Sequence, residues 1–309
     1  MADEARLTKP WLIAVWPGMG HVALSAGYYL MAKLNMHLFA EFEPQGLFDV
    51  EHVEVKDGLI RAGRLPRSRF FVWNDPRGRH DLVVFIGEAQ PPLGKYAFCR
   101  QLIEFAQGLG VERIFTFAAM ATEMHPTSGS RVFGAATDEQ TLAELRRLGL
   151  EILDDGHIGG LNGVLLGAAV EAGLRGACLL GEMPRIFAQL PFPKASLAVL
   201  DAFTTIAGIE IDTAELSQQA RDMEQQLGDL LAQMQRALEP QMADEDEAAG
   251  HEPATEGGLS PEDERRIERL FEQARQDRVH AYELKRELDR LGVYRAYEDR
   301  FLDLFKRAE

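Results

Sequence analysis

Two short stretches decide the fold: residues 156–166, GHIGGLNGVLL, and residues 178–184, CLLGEMP. The first joins a glycine-dense loop to the start of a helix. The second is an apolar run that ends in a polar turn. Together they predict a helix that begins near Leu161 and a buried strand that follows it. Residues 16–21, WPGMGH, form a similar strand-to-helix turn near the start of the chain.

Working outward from these stretches, apolar runs alternate with helical patterns between residue 11 and about residue 208. Strands are predicted over residues 11–16, 81–86, 113–118, 131–136, 152–153 and 177–180, and helices over residues 21–34, 95–109, 138–148, 161–172 and 194–207. A β-rich insert adds strands over residues 39–43, 50–55 and 70–73, with a turn at Lys56-Asp57-Gly58 between the last two. This alternation predicts an α/β fold with a mostly parallel sheet that is covered by helices on both faces.

Composition limits the kind of protein. The 309 residues carry a formal net charge of −16, which disfavours nucleic acid and anionic membrane surfaces as partners. No apolar run approaches the roughly 20 residues of a transmembrane helix. The two cysteines, Cys99 and Cys178, fall in a predicted helix and a predicted strand, so we expect buried free thiols. A cytoplasmic protein is expected.

The character of the chain changes after residue 211, and four parts are predicted. Residues 1–211 form the α/β/α core, and residues 212–238 form an amphipathic helix with heptad-like spacing from Leu216 to Ala237. This helix either pairs between chains or packs on its own core. Residues 239–260 are acidic and contain neither Lys nor Arg, which predicts a flexible linker. Residues 261–309 form a helical segment whose first helix starts at Pro261.

Candidate site residues cluster after the predicted strands, where parallel sheets bind ligands. Gly18, Met19, Gly20 and His21 follow the first strand. Their Gly-x-Gly pattern is a weak dinucleotide signal, since Ala23 stands where a third glycine belongs, and a tight strand-to-helix turn is the alternative interpretation. Gly159 and Gly160 precede the helix at Leu161. They allow either phosphate capture at its N-terminus or close helix packing.

Polar side chains follow three of the predicted strands, and Asn162 caps or opens the helix at Leu161. The candidates are Glu88 and Gln90, Thr122 and Glu123, Asn162, and Glu182. If Glu88, Glu123 and Glu182 meet at one sheet edge, paired carboxylates are able to perform acid–base chemistry. The alternative is that they cap helices or face solvent. No His pair has metal-ligand spacing, and no serine elbow or phosphate-loop signature is present. The sequence therefore predicts neither a metal nor a cofactor, and it shows no complete catalytic set.

The same stretches resemble the proteasome assembly chaperone 2 family over roughly residues 11–231. The motifs are Gly159-Gly160-Leu161-Asn162-Gly163, Leu179-Leu180-Gly181-Glu182, and residues 85–91, FIGEAQP. The resemblance implies a three-layer α/β/α fold similar to nucleoside phosphorylases and hydrolases, and an assembly or chaperone role with protein partners. It also implies a homo-oligomer, and a trimer is expected. The competing hypothesis is an enzyme or sensor that binds a nucleoside- or nucleotide-like molecule in a cleft at the sheet edge.

Overall fold

The computed structural model describes residues 7–44, 46–50, 53–248 and 261–276, together with Leu284, Glu287, Leu288, Leu291, Val293, Tyr297 and Arg300. The chain divides into two compact units, Met1–Leu238 and Glu239–Glu309. The four-part division expected from the sequence stays a prediction. Within the described part of the chain, no helix is both long enough and apolar enough to cross a membrane.

Ten strands are present in the described residues: β1 (Trp11–Val15), β2 (His37–Phe42), β3 (Glu54–Lys56), β4 (Leu59–Arg61), β5 (Ser68–Trp73), β6 (Leu82–Gly87), β7 (Arg113–Thr122), β8 (Val132–Ala136), β9 (Glu151–Ile152) and β10 (Arg175–Pro184). Eight of them form one sheet in the order β2-β5-β6-β1-β7-β10-β8-β9. The four central strands, β6, β1, β7 and β10, are parallel. β5 and β8 flank them in antiparallel pairing, so the sheet is mixed, with a parallel centre.

Helices cover both faces of this sheet: α1 (Val22–Lys33), α2 (Lys95–Gly108), α3 (Glu139–Arg147), α4 (Gly160–Glu171) and α5 (Pro193–Ala207). Successive strand residues point to opposite faces. Ile13 and Val15 therefore join the core with α1 and α5, while Leu12 and Ala14 join the core with α2 and α4. The three-layer α/β/α prediction is confirmed, because each face buries its own apolar cluster.

The β-rich insert differs in detail from its prediction. The turn at Lys56-Asp57-Gly58 joins β3 to β4 in a separate two-stranded hairpin and does not lead to the strand at residue 70. Asp57 and Gly58 both have positive φ values, 53° and 76°. Asp-Gly favours a two-residue hairpin turn of this kind, in which both central residues are left-handed. The chain therefore reverses at once and forms β4, which was not predicted.

β7 and β10 are longer than predicted. Each spans ten residues, and their parallel register continues to Thr122 opposite Pro184. Thr122 and Glu182 therefore lie within strands, although both were expected in the loops that follow them. The strands extend because each provides hydrogen-bonding partners for the whole length of the other.

The heptad-like residues begin α6 (Ala214–Ala248). Leu216 and Leu227 are buried in the core cluster shared with α1 and α5. This first part of the helix therefore packs on its own domain, one of the two alternatives left open. The helix also continues ten residues past its predicted end at residue 238, into the segment expected to be a flexible linker. Residues 249–260 of the predicted linker lie outside the described residues.

The C-terminal unit contains α7 (Pro261–Gln276), which starts at the predicted proline. Ile267, Phe271, Leu284 and Leu288 are buried together in a small cluster of their own. Most of the predicted final helix, residues 294–306, lies outside the described residues.

Candidate functional site

The C-terminal edge of the parallel strands brings three loops together through one side chain, Gln90. Its Nε2 donates to the Pro17 carbonyl at 3.3 Å, and its Oε1 accepts from the Leu161 backbone N–H at 3.1 Å. Gln90 follows β6, Pro17 follows β1, and Leu161 lies in the first turn of α4. A single amide thus joins two strand ends to a helix start.

Gln90 occupies the end of α4 that an anion would use. The helix cap, Gly159, provides no side-chain acceptor, so Gln90 satisfies one of the free N–H groups. Gly160 has a φ of 67°, and a Cβ there would lie 2.9 Å from Gln90 Oε1. Gly163 lies against the Ile158 backbone: a Cβ built at Gly163 would stand 1.9 Å from the Ile158 carbonyl oxygen. These contacts favour the close-packing interpretation of the glycines over phosphate capture.

The turn after β1 is held by the chain itself. The Gly20 N–H donates to the Ala188 carbonyl, and the Gly20 carbonyl accepts from the Phe192 N–H, both at 2.9 Å. Met183 Sδ would lie 2.6 Å from a Cβ at Gly20. Met19 and His21 are exposed on either side of this glycine. The geometry supports the tight-turn interpretation of the Gly-x-Gly pattern.

Glu88 is bound by the β-rich insert. Its carboxylate accepts from Arg64 at 2.6 Å, from Arg69 at 2.7 Å and from the Arg67 backbone N–H at 3.0 Å. Partial burial opposes ionisation, but the Arg67 hydrogen bond and the two guanidinium groups outweigh it, so the pKa of Glu88 is lowered. Glu88 is thus an anion that ties the insert to the end of β6.

Glu182 is the most buried of the three candidate carboxylates, at 2% exposure. Arg131 binds it through two nitrogens, at 2.8 and 2.7 Å, and the Thr122 hydroxyl donates to it at 2.8 Å. The Arg131 hydrogen bonds dominate over burial and lower the pKa of Glu182. Ser130 also donates to the Glu182 backbone carbonyl at 2.6 Å. This carboxylate therefore holds the connection between β7 and β8 in place.

Glu123 belongs to a third pair. Its side chain is 82% exposed and lies 3.0 Å from Arg185. The three carboxylates thus have three different arginine partners, and none shares a proton-accepting site with another. The expectation that they form paired acids for acid–base work is not supported. Of the alternative, that they cap helices or face solvent, the second part describes Glu123, whereas Glu88 and Glu182 are held in ion pairs away from solvent.

Sequence reasoning did not identify the arginines. Arg64, Arg67 and Arg69 lie within six residues of each other in the insert. This cluster of basic residues is the sequence feature that indicates a partner for a carboxylate. Arg131 and Arg185 stand alone in the sequence, so only the fold brings them to their carboxylates.

A cleft of about 740 Å³ opens beside Glu88 and Gln90, the two predicted residues that line it. Its other walls are formed by the insert and by the loop after β6, with Phe48, Arg64, Pro66 and Pro92 among the lining residues. A second cleft of about 520 Å³ adjoins it and shares Phe48 and Pro66. The size is sufficient for a small molecule or a short peptide segment.

Two buried polar atoms belong to residues next in sequence to those that Gln90 joins. Trp16 Nε1, next to Pro17, and Asn162 Oδ1, next to Leu161, are buried without a hydrogen-bond partner among the described residues. The Thr116 hydroxyl does donate to the Asn162 backbone carbonyl, at 3.3 Å. Across the described ranges, no group of three or more His, Cys, Asp or Glu residues has the arrangement of a metal site.

Comparison with known proteins adds to this geometry. A model of the PAC2 family matches residues 12–231. An uncharacterised protein of Methanocaldococcus jannaschii is 28% identical over 231 residues, which are 72% of this chain and 83% of that protein. The structure of Pyrococcus furiosus PbaB, an archaeal proteasome activator, matches with 26% identity and a TM-score of 0.63, over 74% of this chain and 96% of PbaB. A Mycobacterium tuberculosis proteasome-assembly chaperone homologue matches in fold, with 24% identity and a TM-score of 0.62, over 71% and 94% of the two chains.

Proposed function

Because this chain belongs to the PAC2 family, we propose that it is a chaperone-type protein that acts by assembling with other proteins and with further copies of itself, as a trimer. Its place would be the cytoplasm, where the two cysteines, both buried and free, would stay reduced.

The relatives suggest which partner to test first. Pyrococcus furiosus PbaB is described as an archaeal proteasome activator, and it shares 26% identity with this chain over 96% of its own length. A proteasome particle, or a subunit of one, is therefore the first candidate partner. The Mycobacterium tuberculosis homologue supports the fold alone at its level of identity.

One observation of the site favours assembly over catalysis: arginine neutralises each candidate carboxylate. Glu88 is bound by Arg64 and Arg69, Glu182 by Arg131, and Glu123 by Arg185. A general acid needs a raised pKa near the working pH, whereas the pKa values of Glu88 and Glu182 are lowered. Glu88 and Glu182 therefore stabilise loops and are not arranged to transfer protons.

Native mass spectrometry of the protein purified from its own cell extract tests this proposal. The expected spectrum contains an assembly of three chains of 34.5 kDa, with a fraction bound to a larger protein complex. A single chain with no bound protein, at micromolar concentration and moderate salt, would contradict the proposal.

The second candidate is a ligand-binding role for the cleft beside Glu88, which its volume of about 740 Å³ supports. A nucleoside- or nucleotide-like molecule would place its hydroxyl or amine groups near Gln90 and its anionic group near Arg64. A thermal-shift screen of metabolites tests this. Stabilisation that is lost in Gln90→Ala but kept in the surface control Glu139→Ala would favour it, and no stabilising compound in a broad screen would remove it.

A further inference from the structure

Ser68, the first residue of β5, has a buried hydroxyl that the fold leaves without a hydrogen bond. The residue is 2% exposed, and its Oγ has no partner among the described residues. Its neighbour across the β5–β6 pair is Gly87, where a Cβ would lie 2.5 Å from Trp16 Nε1. That indole nitrogen is itself unpartnered, so it does not bind Ser68. Buried polar groups are nearly always hydrogen-bonded, and a ligand group is one partner that would satisfy this one.

The side chain of Ser68 projects to the side of the sheet on which the second cleft, of about 520 Å³, opens. Phe42 stands directly opposite Ser68 in the β2–β5 register, and opposed residues project to the same face of a sheet. Phe42 and Phe48 both contact Phe98 in α2, so both rings lie on the face that α2 covers. Ser68, Phe42 and Phe48 all line the second cleft. The unpartnered hydroxyl therefore belongs to the cleft wall.

The apolar walls of the second cleft suit an aromatic ring. Phe42 and Phe48 meet Phe98 edge-on, with ring centroids 5.6 and 5.9 Å apart. A ring in the cleft would extend this cluster of edge-on contacts. Leu65 also lines the cleft and is 51% exposed, so a bound ring would cover apolar surface as well. Ligand sites commonly combine apolar walls with a few polar groups that fix the orientation of the ligand.

We propose that the second cleft binds an uncharged aromatic ring that carries one O–H or N–H group, which donates a hydrogen bond to Ser68 Oγ. The charged residues of the lining, Glu41, Glu43 and Arg67, are exposed and form its rim. A charge buried beside Ser68 would lack a counter-charge, which is costly, so the ring is uncharged. This assignment is independent of the proposed oligomer and of the ligand considered for the cleft beside Glu88.

Titration of the full chain with phenol and with toluene, followed by NMR of the backbone amides, tests the site. The two rings are similar in size, and only phenol carries an O–H group. Both are expected to bind and to shift the amide resonances of Gly46, Leu65 and Arg67, which line the cleft. Ser68→Ala is expected to weaken phenol binding by about three- to tenfold, the loss of one neutral hydrogen bond, and to leave toluene binding unchanged.

Ser196 provides a matched control for this substitution. It is fully buried, and its Oγ likewise has no partner in the part of the chain that the structure describes. It lies in α5 and does not line the second cleft, so Ser196→Ala is expected to leave both affinities unchanged. Each substitution removes an unpartnered buried hydroxyl, so neither is expected to lower the thermal midpoint of the free protein.

A free aromatic compound and an aromatic side chain of a partner protein offer the same chemistry, and N-acetyl-tyrosinamide distinguishes them. If it binds at least as tightly as phenol, with the same loss in Ser68→Ala, the cleft takes a side chain of a partner protein. If phenol binds and N-acetyl-tyrosinamide does not, the cleft takes a free aromatic compound.

Four results would overturn the proposal. One is the absence of amide shifts with either ring at millimolar concentration. The second is a set of shifts confined to Ala62 and Gly63, which would place the ligand in the cleft beside Glu88. The third is a phenol affinity that Ser68→Ala leaves unchanged, or lowers no more than Ser196→Ala does. The fourth is a lower thermal midpoint in Ser68→Ala alone, which would show that the fold itself satisfies the hydroxyl.

Discussion

Gly163 shows how a single hydrogen atom determines the packing of α4. A Cβ at this position would stand 1.9 Å from the Ile158 backbone carbonyl oxygen, and a backbone atom is unable to rotate away. Gly163→Ala is therefore expected to lower the free energy of unfolding by about 1–3 kcal/mol, the usual cost of overpacking. Urea unfolding followed by circular dichroism measures it.

Gly167 provides the matched control, one turn further along the same helix. No heavy atom lies within 4 Å of a Cβ built there. Alanine is a better helix former than glycine by up to about 1 kcal/mol, so Gly167→Ala is expected to be neutral or stabilising. Equal destabilisation by both substitutions would show that the Ile158 contact is not the cause.

Glu182 predicts a pH dependence of stability. Arg131 and Thr122 lower its pKa in the folded protein from the ordinary value of 4.5. The stabilisation that the ionised Glu182 gives to the folded protein is therefore complete above its unfolded-state pKa. It is lost as the pH falls through its folded-state pKa. Glu182→Gln is expected to cost about 1–3 kcal/mol at pH 7, by analogy with other hydrogen bonds to charged groups. The destabilisation caused by Glu182→Gln should decrease as the pH is lowered towards 3.

Glu123 is the control for this measurement. It also faces an arginine, Arg185, but its side chain is 82% exposed, and exposed pairs contribute little because water screens them. Glu123→Gln is expected to have the same unfolding free energy as the wild-type protein at each pH between 7 and 3. If its pH profile matched that of Glu182→Gln, burial of the pair would not explain the effect.

At the scale of the element, α6 has one buried side along its first turns. Leu227 is 3% exposed and belongs to the core shared with α1 and α5, whereas Leu230 on the same helix is 40% exposed. Lys194 in α5 adds an ion pair to Glu224 at 2.7 Å and donates to the Pro126 and Ser128 carbonyls. The first part of this helix is therefore part of the folded core.

Leu227→Ala is expected to lower the free energy of unfolding by about 2–4 kcal/mol, since it leaves a cavity in the core. Leu230→Ala, the control, is expected to cost less than about 1 kcal/mol. Denaturation at two protein concentrations measures both. A loss at Leu227 that vanishes at high concentration would indicate that the helix pairs between chains instead.

At the scale of the whole molecule, the two thiols report on global opening. Burial raises the pKa of both Cys99 and Cys178 to about 12, and the thiolate is the reactive form. The native protein is expected to resist a thiol reagent at pH 8, and both cysteines should react after denaturation. The extent of thiol labelling at each denaturant concentration should follow the fraction of unfolded protein. Rapid modification of either thiol in the native protein would show that the core opens locally.

The sequence alone predicted the features that depend on local pattern. Hydrophobic periodicity placed the central strands and the five core helices, since burial on one side repeats every 3.6 residues in a helix and every 2 in a strand. The glycine turns at Gly20 and Gly160 and the helix start at Pro261 were also readable, because each needs a particular residue type. The family resemblance came from the same stretches, and the match over residues 12–231 confirms it.

The tertiary structure alone decided which side chains meet. Glu182 is paired with Arg131, 51 residues away, and Gln90 joins Pro17 to Leu161 across 73 and 71 residues. The lengths of β7 and β10 also depended on each other, since neighbouring strands supply the hydrogen bonds that extend them. Periodicity carries no information about such distant pairs, because ion pairs and strand partners form only once the chain has folded. The sequence thus determined the layers and the family, and the fold determined that the candidate acids are ion pairs with arginine.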